Sequence, residues 1–108
     1  MSPKSWEEAL TDAYWDYRWR NIMEPLCKTF QAWKSGDLGH ADVDKAIDAA
    51  YKEKCMVNSL LGQRPDRSAA IIHWWDPEWF EAWIEDNRPP AGVDVSPPPV
   101  APPDGNGC

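Results

Sequence analysis

His73-Trp74-Trp75-Asp76-Pro77-Glu78-Trp79-Phe80-Glu81-Ala82-Trp83-Ile84 is the most aromatic segment of the chain and contains four of its eight tryptophans. Asp76 and Pro77 predict a helix start. An aspartate at the N-cap can accept hydrogen bonds from the free N–H groups of the first turn, and proline is tolerated at the first helical position. We expect this helix to run from about residue 77 to 86, with its large apolar residues paired at i,i+4. The block is predicted to close the core of a small helical domain.

Upstream of this block, the apolar residues recur at helical spacing in three further segments. A short helix is expected over about 66–74, and a longer one from His40 or Ala41 to Gly62. The first segment extends to Lys34, as one helix or two in series, and both Ser2-Pro3 and the capping pattern Ser5-Trp6-Glu7-Glu8 predict a helix start at its beginning. Pro25 lies inside it and predicts a kink or break near residues 21–24, because proline lacks an N–H and clashes with the preceding turn. The expected apolar rows are Trp6, Leu10, Ala13 and Tyr17, then Trp15, Trp19, Ile22, Leu26, Phe30 and Trp33, and, in the second helix, Val43, Ala46, Ile47, Ala50, Tyr51, Val57, Leu60 and Leu61.

These segments predict an all-α fold, a small antiparallel bundle of three to four helices. No run of alternating β-branched residues suggests a strand. We assign residues 1–87 to the helical domain and residues 88–108 to a tail rich in proline and glycine. Such a tail cannot bury enough apolar surface to order itself, so we expect it to be disordered.

The chain of 108 residues has a formal net charge of −7, and residues 76–86 alone carry −5. An acidic surface disfavours general binding to nucleic acid, which needs clustered lysine and arginine. No segment has the length and apolarity of a membrane span. Three widely spaced cysteines and the lack of a signal peptide indicate a reduced, cytoplasmic protein. Cys27 and Cys55 are expected to pack as small apolar residues, and Cys108 to be an exposed thiol.

No group of residues in the sequence suggests catalysis or a metal site. His73 and His40 lack the nearby Cys or His that a metal site requires. Asp37, Asp42 and Asp44 do not follow a calcium-loop pattern. We therefore expect a protein that is not an enzyme, and neither catalytic residues nor metal ligands are assigned.

The number of indole rings exceeds what a small core is expected to bury, and exposed aromatic patches usually mark contact surfaces. We interpret the chain as a protein–protein interaction module, an accessory subunit, adaptor or regulator whose exposed aromatics are flanked by acids. Trp6 and Trp74 are the rings most expected to be exposed. Self-association as a homodimer is one form of this hypothesis. The predicted partner-binding residues are Trp6, Trp74, Trp75, Trp79, Trp83, Glu78, Glu81 and Glu85.

Two alternatives remain open at this point. Trp75, Trp79, Trp83 and His73 could line an aromatic pocket for a small molecule or cofactor. The acidic surface could instead mimic nucleic acid and block a protein that binds it. Rings that enclose a polar void would favour the pocket, whereas rings packed on one another would favour a core.

Overall fold

The computed structural model describes residues 2–94, apart from the side chain of Pro65. It contains the helices α1 (Pro3–Lys34), α2 (His40–Asn58), α3 (Pro65–Trp75) and α4 (Pro77–Asp86), with a 3-10 turn at Ser59–Gly62. The all-α prediction is confirmed for this part of the chain. The tail predicted at 88–108 lies largely outside the described residues, although Val93, within them, packs against the core.

The ends of α1 are set by local hydrogen bonds. Ser2 caps the helix, its hydroxyl accepting from the Ser5 N–H at 3.2 Å, so of the two predicted starts the helix uses the earlier one, Ser2-Pro3. At the other end, Gly36 adopts a φ of 83° and the Asp37 N–H donates to the Ala32 carbonyl at 2.9 Å. This glycine-terminated motif reverses the chain toward α2.

Of the kink or break predicted near residues 21–24, the break is wrong, because α1 is helical from Pro3 to Lys34 without interruption. Proline lacks a backbone N–H, so the helix loses one hydrogen-bond donor here. Packing against neighbouring helices over much of its length compensates for this loss. The Thr29 hydroxyl also donates to the Pro25 carbonyl at 3.0 Å. A single lost hydrogen bond is therefore absorbed within one long helix.

The core lies around the N-terminal half of α1, where α3 and α4 pack. We call this end of the molecule proximal and the opposite end, around the α1–α2 connection, distal. Tyr14, which neither predicted row contained, is fully buried there. The molecule is elongated, 55 × 27 × 19 Å, because α1 continues past this core with only α2 alongside it. The buried cluster consists of Trp6, Leu10, Tyr14, Leu60, Ala69, Ile71, Ile72 and Phe80.

Several residues predicted to be buried are exposed. In α1 these are Phe30, Trp33 and Cys27, in α2 they are Ile47 and Tyr51, and in the 3-10 turn it is Leu61. All but Leu61 lie in the distal part of the molecule, where neither α3 nor α4 reaches. Those in the distal part do recur at helical spacing, but there α1 and α2 form a two-helix hairpin with no further helix packed against it to cover them.

The aromatic block closes the core as expected, through Phe80, with Trp75, Trp79 and Trp83 half-buried against it. Two details differ. Trp6, expected to be exposed, is only 2% exposed, because its ring packs on Trp83 and its Nε1 donates to the Asn87 carbonyl at 2.8 Å. Asp76 precedes α4 but its side chain makes no capping hydrogen bond, since its carboxylate accepts from Tyr14 instead.

Candidate protein-binding surface

Residues 19–34 of α1 and 40–53 of α2 form an antiparallel pair that we call the distal hairpin. Its register is set by three contacts. Trp33 Nε1 donates to His40 Nδ1 at 2.9 Å near the tip, Arg18 pairs with Glu53 at 2.7 Å, and Trp15 Nε1 donates to Asn58 at 3.2 Å. In each of these pairs the two residue numbers add up to about 71–73. The other residues of α1 and α2 lie side by side according to the same rule.

Helical spacing around this register gives the distal hairpin two broad faces. One side carries an open groove that reaches Asp76 at the α3–α4 junction. We call the opposite side the apolar face. It faces away from α3 and α4, since Leu10, Tyr14 and Tyr17, which pack at the core, lie on the groove side of α1. The residues of the apolar face are Trp19, Met23, Phe30, Ile47 and Tyr51.

The apolar face leaves large hydrophobic side chains in solvent. Tyr51 is 53% exposed and Ile47 46%, and Met23 and Phe30 are exposed as well. Trp33 adds a further exposed ring at the tip of the hairpin. At the proximal end, the buried Nε1 of Trp19 has no acceptor within residues 2–94. Several large hydrophobic side chains exposed on one face usually mark a contact surface.

The groove on the other side has a volume of about 500 Å³ and is open to solvent along its length. Three alanines of α2 form much of one wall, and the groove is an open channel rather than an enclosed pocket. Its lining residues are Arg18, Asn21, Ile22, Pro25, Leu26, Ala46, Ala49, Ala50, Glu53 and Asp76.

A chain of polar groups closes the proximal end of the groove. Arg18 donates to the Tyr14 hydroxyl at 2.6 Å and to Glu53 at 2.7 Å, and Tyr14 donates to Asp76 Oδ2 at 3.1 Å. The four side chains join α1, α2 and the start of α4. The arrangement satisfies the buried hydroxyl on both sides, which is the usual requirement for a buried polar group.

The pKa shifts of these hydrogen-bonded side chains indicate that they have a structural role. Burial raises the pKa of the Tyr14 phenol above its usual value, and nearby Arg18 only partly offsets that effect. Burial lowers the pKa of Arg18, but Tyr14 and Glu53 outweigh it, so the net pKa is raised. Tyr14 is fully buried and remains protonated at neutral pH, so its hydroxyl holds helices together and is not presented to solvent.

Among the predicted partner-binding residues, only Trp74 combines an exposed indole ring with the surface location expected of it, at 40% exposure. Trp79 stacks on Tyr17 at 5.5 Å and on Trp83 at 6.3 Å, and Trp83 also packs on Trp6. The acids Glu78, Glu81 and Glu85 are exposed on α4. These residues belong to one end of the molecule, and their contact with a partner stays a prediction.

The two histidines pack against aromatic rings. His73 lies flat on Phe80, with ring centroids 4.2 Å apart and an interplanar angle of 9°. His40 accepts the Trp33 indole N–H. Within the described part of the chain, no three His, Cys, Asp or Glu side chains are grouped so as to hold a metal ion.

The apolar face was the feature that the sequence interpretation missed. All of its residues except Met23 occur in the predicted rows, but a row at helical spacing does not distinguish the core from an external contact surface. One feature of the sequence does point to it. The aromatic block that covers the core is only twelve residues, about 18 Å if helical, whereas the apolar rows continue to residues 30–33 and 47–51. The block is therefore too short to cover the ends of both rows.

Between residues 2 and 94, no helix combines the length and apolarity needed to cross a bilayer. No protein-family model, curated protein or solved structure matches the chain.

Proposed function

We propose that the chain is a protein–protein interaction module that binds through the apolar face of the distal hairpin. One observation carries this proposal. Of the seven large hydrophobic side chains exposed within residues 2–94, five lie in the distal hairpin. They are Met23, Phe30, Trp33, Ile47 and Tyr51.

The energetics support a contact role for this surface. Burying apolar surface contributes about 25 cal/mol per Å², and a single aromatic side chain can bury about 150–250 Å². Phe30, Ile47 and Tyr51 each leave a substantial fraction of this gain unrealised in the isolated chain. A partner that covers the face would recover it, with little loss of chain entropy because the helices are already formed.

The remaining features fit an accessory protein better than an enzyme. The buried polar chain from Asp76 to Glu53 is satisfied internally and is used to fix helix positions. The rings of Trp79 and Trp83 stack on each other, which supports a packing role for these residues over the small-molecule pocket. The acidic side of α4, with Glu78, Glu81 and Glu85, could add a second, polar contact or act as the proposed mimic of nucleic acid.

A comparison of two matched substitutions tests the proposal. Ile47→Asp places a charge at the centre of the apolar face, whereas Leu61→Asp places the same charge on an exposed leucine outside the hairpin. Tagged full-length chains would be used to isolate binding partners, and each captured protein would then be purified and its affinity measured directly. We expect Ile47→Asp to weaken binding at least tenfold and Leu61→Asp to leave it unchanged. Equal affinities for both variants would contradict the proposal.

A further inference from the structure

The two helices of the distal hairpin carry opposite net charges. In α1, residues 19–34 contain Arg20, Lys28 and Lys34 against a single acid, Glu24, a net charge of +2. In α2, residues 40–53 contain Asp42, Asp44, Asp48 and Glu53 against Lys45 and Lys52, a net charge of −2. A surface divided in this way is complementary to a second copy of itself.

The outer edges of the apolar face repeat this division. By helical spacing, Lys34 and Arg20 border it on α1, while Asp44 and Asp48 border it on α2. Arg20 also forms an ion pair with Asp16 at 2.8 Å, but both side chains are exposed and such pairs contribute little. Lys34 is therefore the cation most available to a facing carboxylate.

We infer that a second copy of this chain covers the apolar face, with the two copies related by a two-fold axis parallel to the helices. This orientation places α1 of each copy antiparallel to α2 of the other, so the basic segment meets the acidic one. A two-fold axis across the helices would instead bring α1 against α1 and α2 against α2, with like charges facing. The inference rests on the proposed function, because it assigns the occupant of the same surface.

The geometry of the chain permits such a dimer. α3 and α4 lie on the groove side, so nothing in the described residues obstructs the approach of a second hairpin to the apolar face. The two hairpins together would form a four-helix arrangement, in which Phe30 and Tyr51 of each copy become interior residues. The contact is isologous, so the same side chains serve both copies.

The size of the face sets the expected affinity. Sixteen residues of α1 span about 24 Å, and two helices side by side are about 20 Å wide. Two such faces would bury on the order of 1,000 Å² in total, below the roughly 1,200–2,000 Å² of stable complexes. We therefore expect a dimer that forms in the micromolar range and dissociates on dilution.

Cys27 provides a reporter of the orientation. It is a free, exposed thiol on the outer edge of α1 at nearly the same height as Asp44 on the outer edge of α2. Within one copy these positions lie on opposite edges of the hairpin, too far apart for a disulfide, which requires Cα atoms within about 7 Å. In the proposed dimer the Cys27 edge of one copy lies beside the Asp44 edge of the other.

Sedimentation and cross-linking of the full chain test the inference. We expect the unmodified chain to shift from monomer to dimer between low micromolar and several hundred micromolar concentrations, and Ile47→Asp to abolish the shift while Leu61→Asp preserves it. Asp44→Cys should form a disulfide-linked dimer under mild oxidation, with the bond mapped to Cys27 by peptide mass spectrometry. Ala49→Cys, whose thiol lies on the groove side, serves as the matched control and should not form this link.

A chain that stays monomeric throughout this range, or a dimer in which Ala49→Cys cross-links as efficiently as Asp44→Cys, would overturn the inference. The proposed function would survive that outcome if Ile47→Asp still weakened binding to a different purified protein. If Ile47→Asp affected neither self-association nor any captured partner, both proposals would fail.

Discussion

The Tyr14 hydroxyl donates to Asp76 Oδ2 across 3.1 Å, joining two residues that are 62 positions apart in the chain. The contact links the middle of α1 to the junction of α3 and α4. It also marks where α1 leaves the core, since Arg18, one turn further along, already faces the groove. This hydrogen bond therefore lies at the boundary between the core, where α3 and α4 pack on α1, and the distal hairpin.

Tyr14→Phe removes the hydroxyl and leaves the ring in place. We expect a loss of about 1–3 kcal/mol in the free energy of unfolding, because the Asp76 carboxylate loses a buried donor and Arg18 loses an acceptor. Urea denaturation followed by circular dichroism measures the loss.

A double-mutant cycle with Asp76→Ala isolates the contribution of this pair and should give a coupling energy of at least about 0.5 kcal/mol. Tyr51→Phe is the matched control, because Tyr51 is exposed, and it should change stability by no more than about 0.5 kcal/mol. Equal effects of the two Tyr→Phe substitutions would contradict the assigned role of the Tyr14 hydroxyl.

Stability at alkaline pH should also depend on Tyr14. Its pKa in the folded protein is raised by burial, so the folded state retains this proton more strongly than the unfolded state does. The resulting stabilisation is complete below about pH 10, the pKa of a free tyrosine, and is lost as the pH rises toward the folded-state pKa, at up to about 1.4 kcal/mol per pH unit.

Denaturation curves of the unmodified chain and Tyr14→Phe, recorded from neutral to alkaline pH, test this expectation. The stability advantage of the tyrosine should shrink above about pH 10, because only the unmodified chain has a Tyr14 that ionises on unfolding. A constant difference between the two proteins across this range would show that burial does not shift the Tyr14 pKa.

Two tryptophans offer a direct test of burial. Trp6→Ala removes a ring that is 2% exposed, packs on Trp83 at 5.5 Å and donates to the Asn87 carbonyl. We expect a loss of about 3–5 kcal/mol, enough to unfold much of so small a domain. Trp74→Ala removes a ring that is 40% exposed and should cost distinctly less than Trp6→Ala.

Trp6→Phe keeps the first comparison informative if the alanine variant does not fold. It preserves most of the buried area but loses the hydrogen bond to Asn87, so we expect an intermediate cost of about 1–2 kcal/mol. Thermal unfolding of the three variants should place Trp74→Ala closest to the unmodified chain and Trp6→Ala furthest from it; the reverse order would contradict the burial described.

Pro25→Ala should stabilise the protein. A proline in a helix interior is about 3 kcal/mol less favourable than alanine, although proline also restricts the unfolded chain and so offsets part of this difference. We expect a net gain of about 1–2 kcal/mol, measured by urea denaturation. A loss of stability would mean that the Pro25 ring, which lines the groove, packs more favourably there than its missing N–H costs.

The helices could be predicted closely from the sequence, whereas the division between core and surface could not. The start of α4 at Pro77 and the end of α1 at Lys34 follow from proline and glycine positions, which act locally. The burial of Tyr14 and the exposure of Tyr51 depend on which helices pack together, and helical spacing does not contain that information. Asp76 illustrates the same limit, since its local role as a cap was replaced by a contact with Tyr14.

The length of α1 has a consequence for local opening of the chain. Its amides up to about Arg18 lie where α3 and α4 pack, whereas those from residue 19 to Lys34 have α2 alone beside them. Amide hydrogens of the second group should exchange with deuterium orders of magnitude faster than those around Leu10. A molecule bound to residues 19–34 of α1 would slow that exchange. Deuterium uptake can therefore show, for each residue, whether this part of the helix is covered.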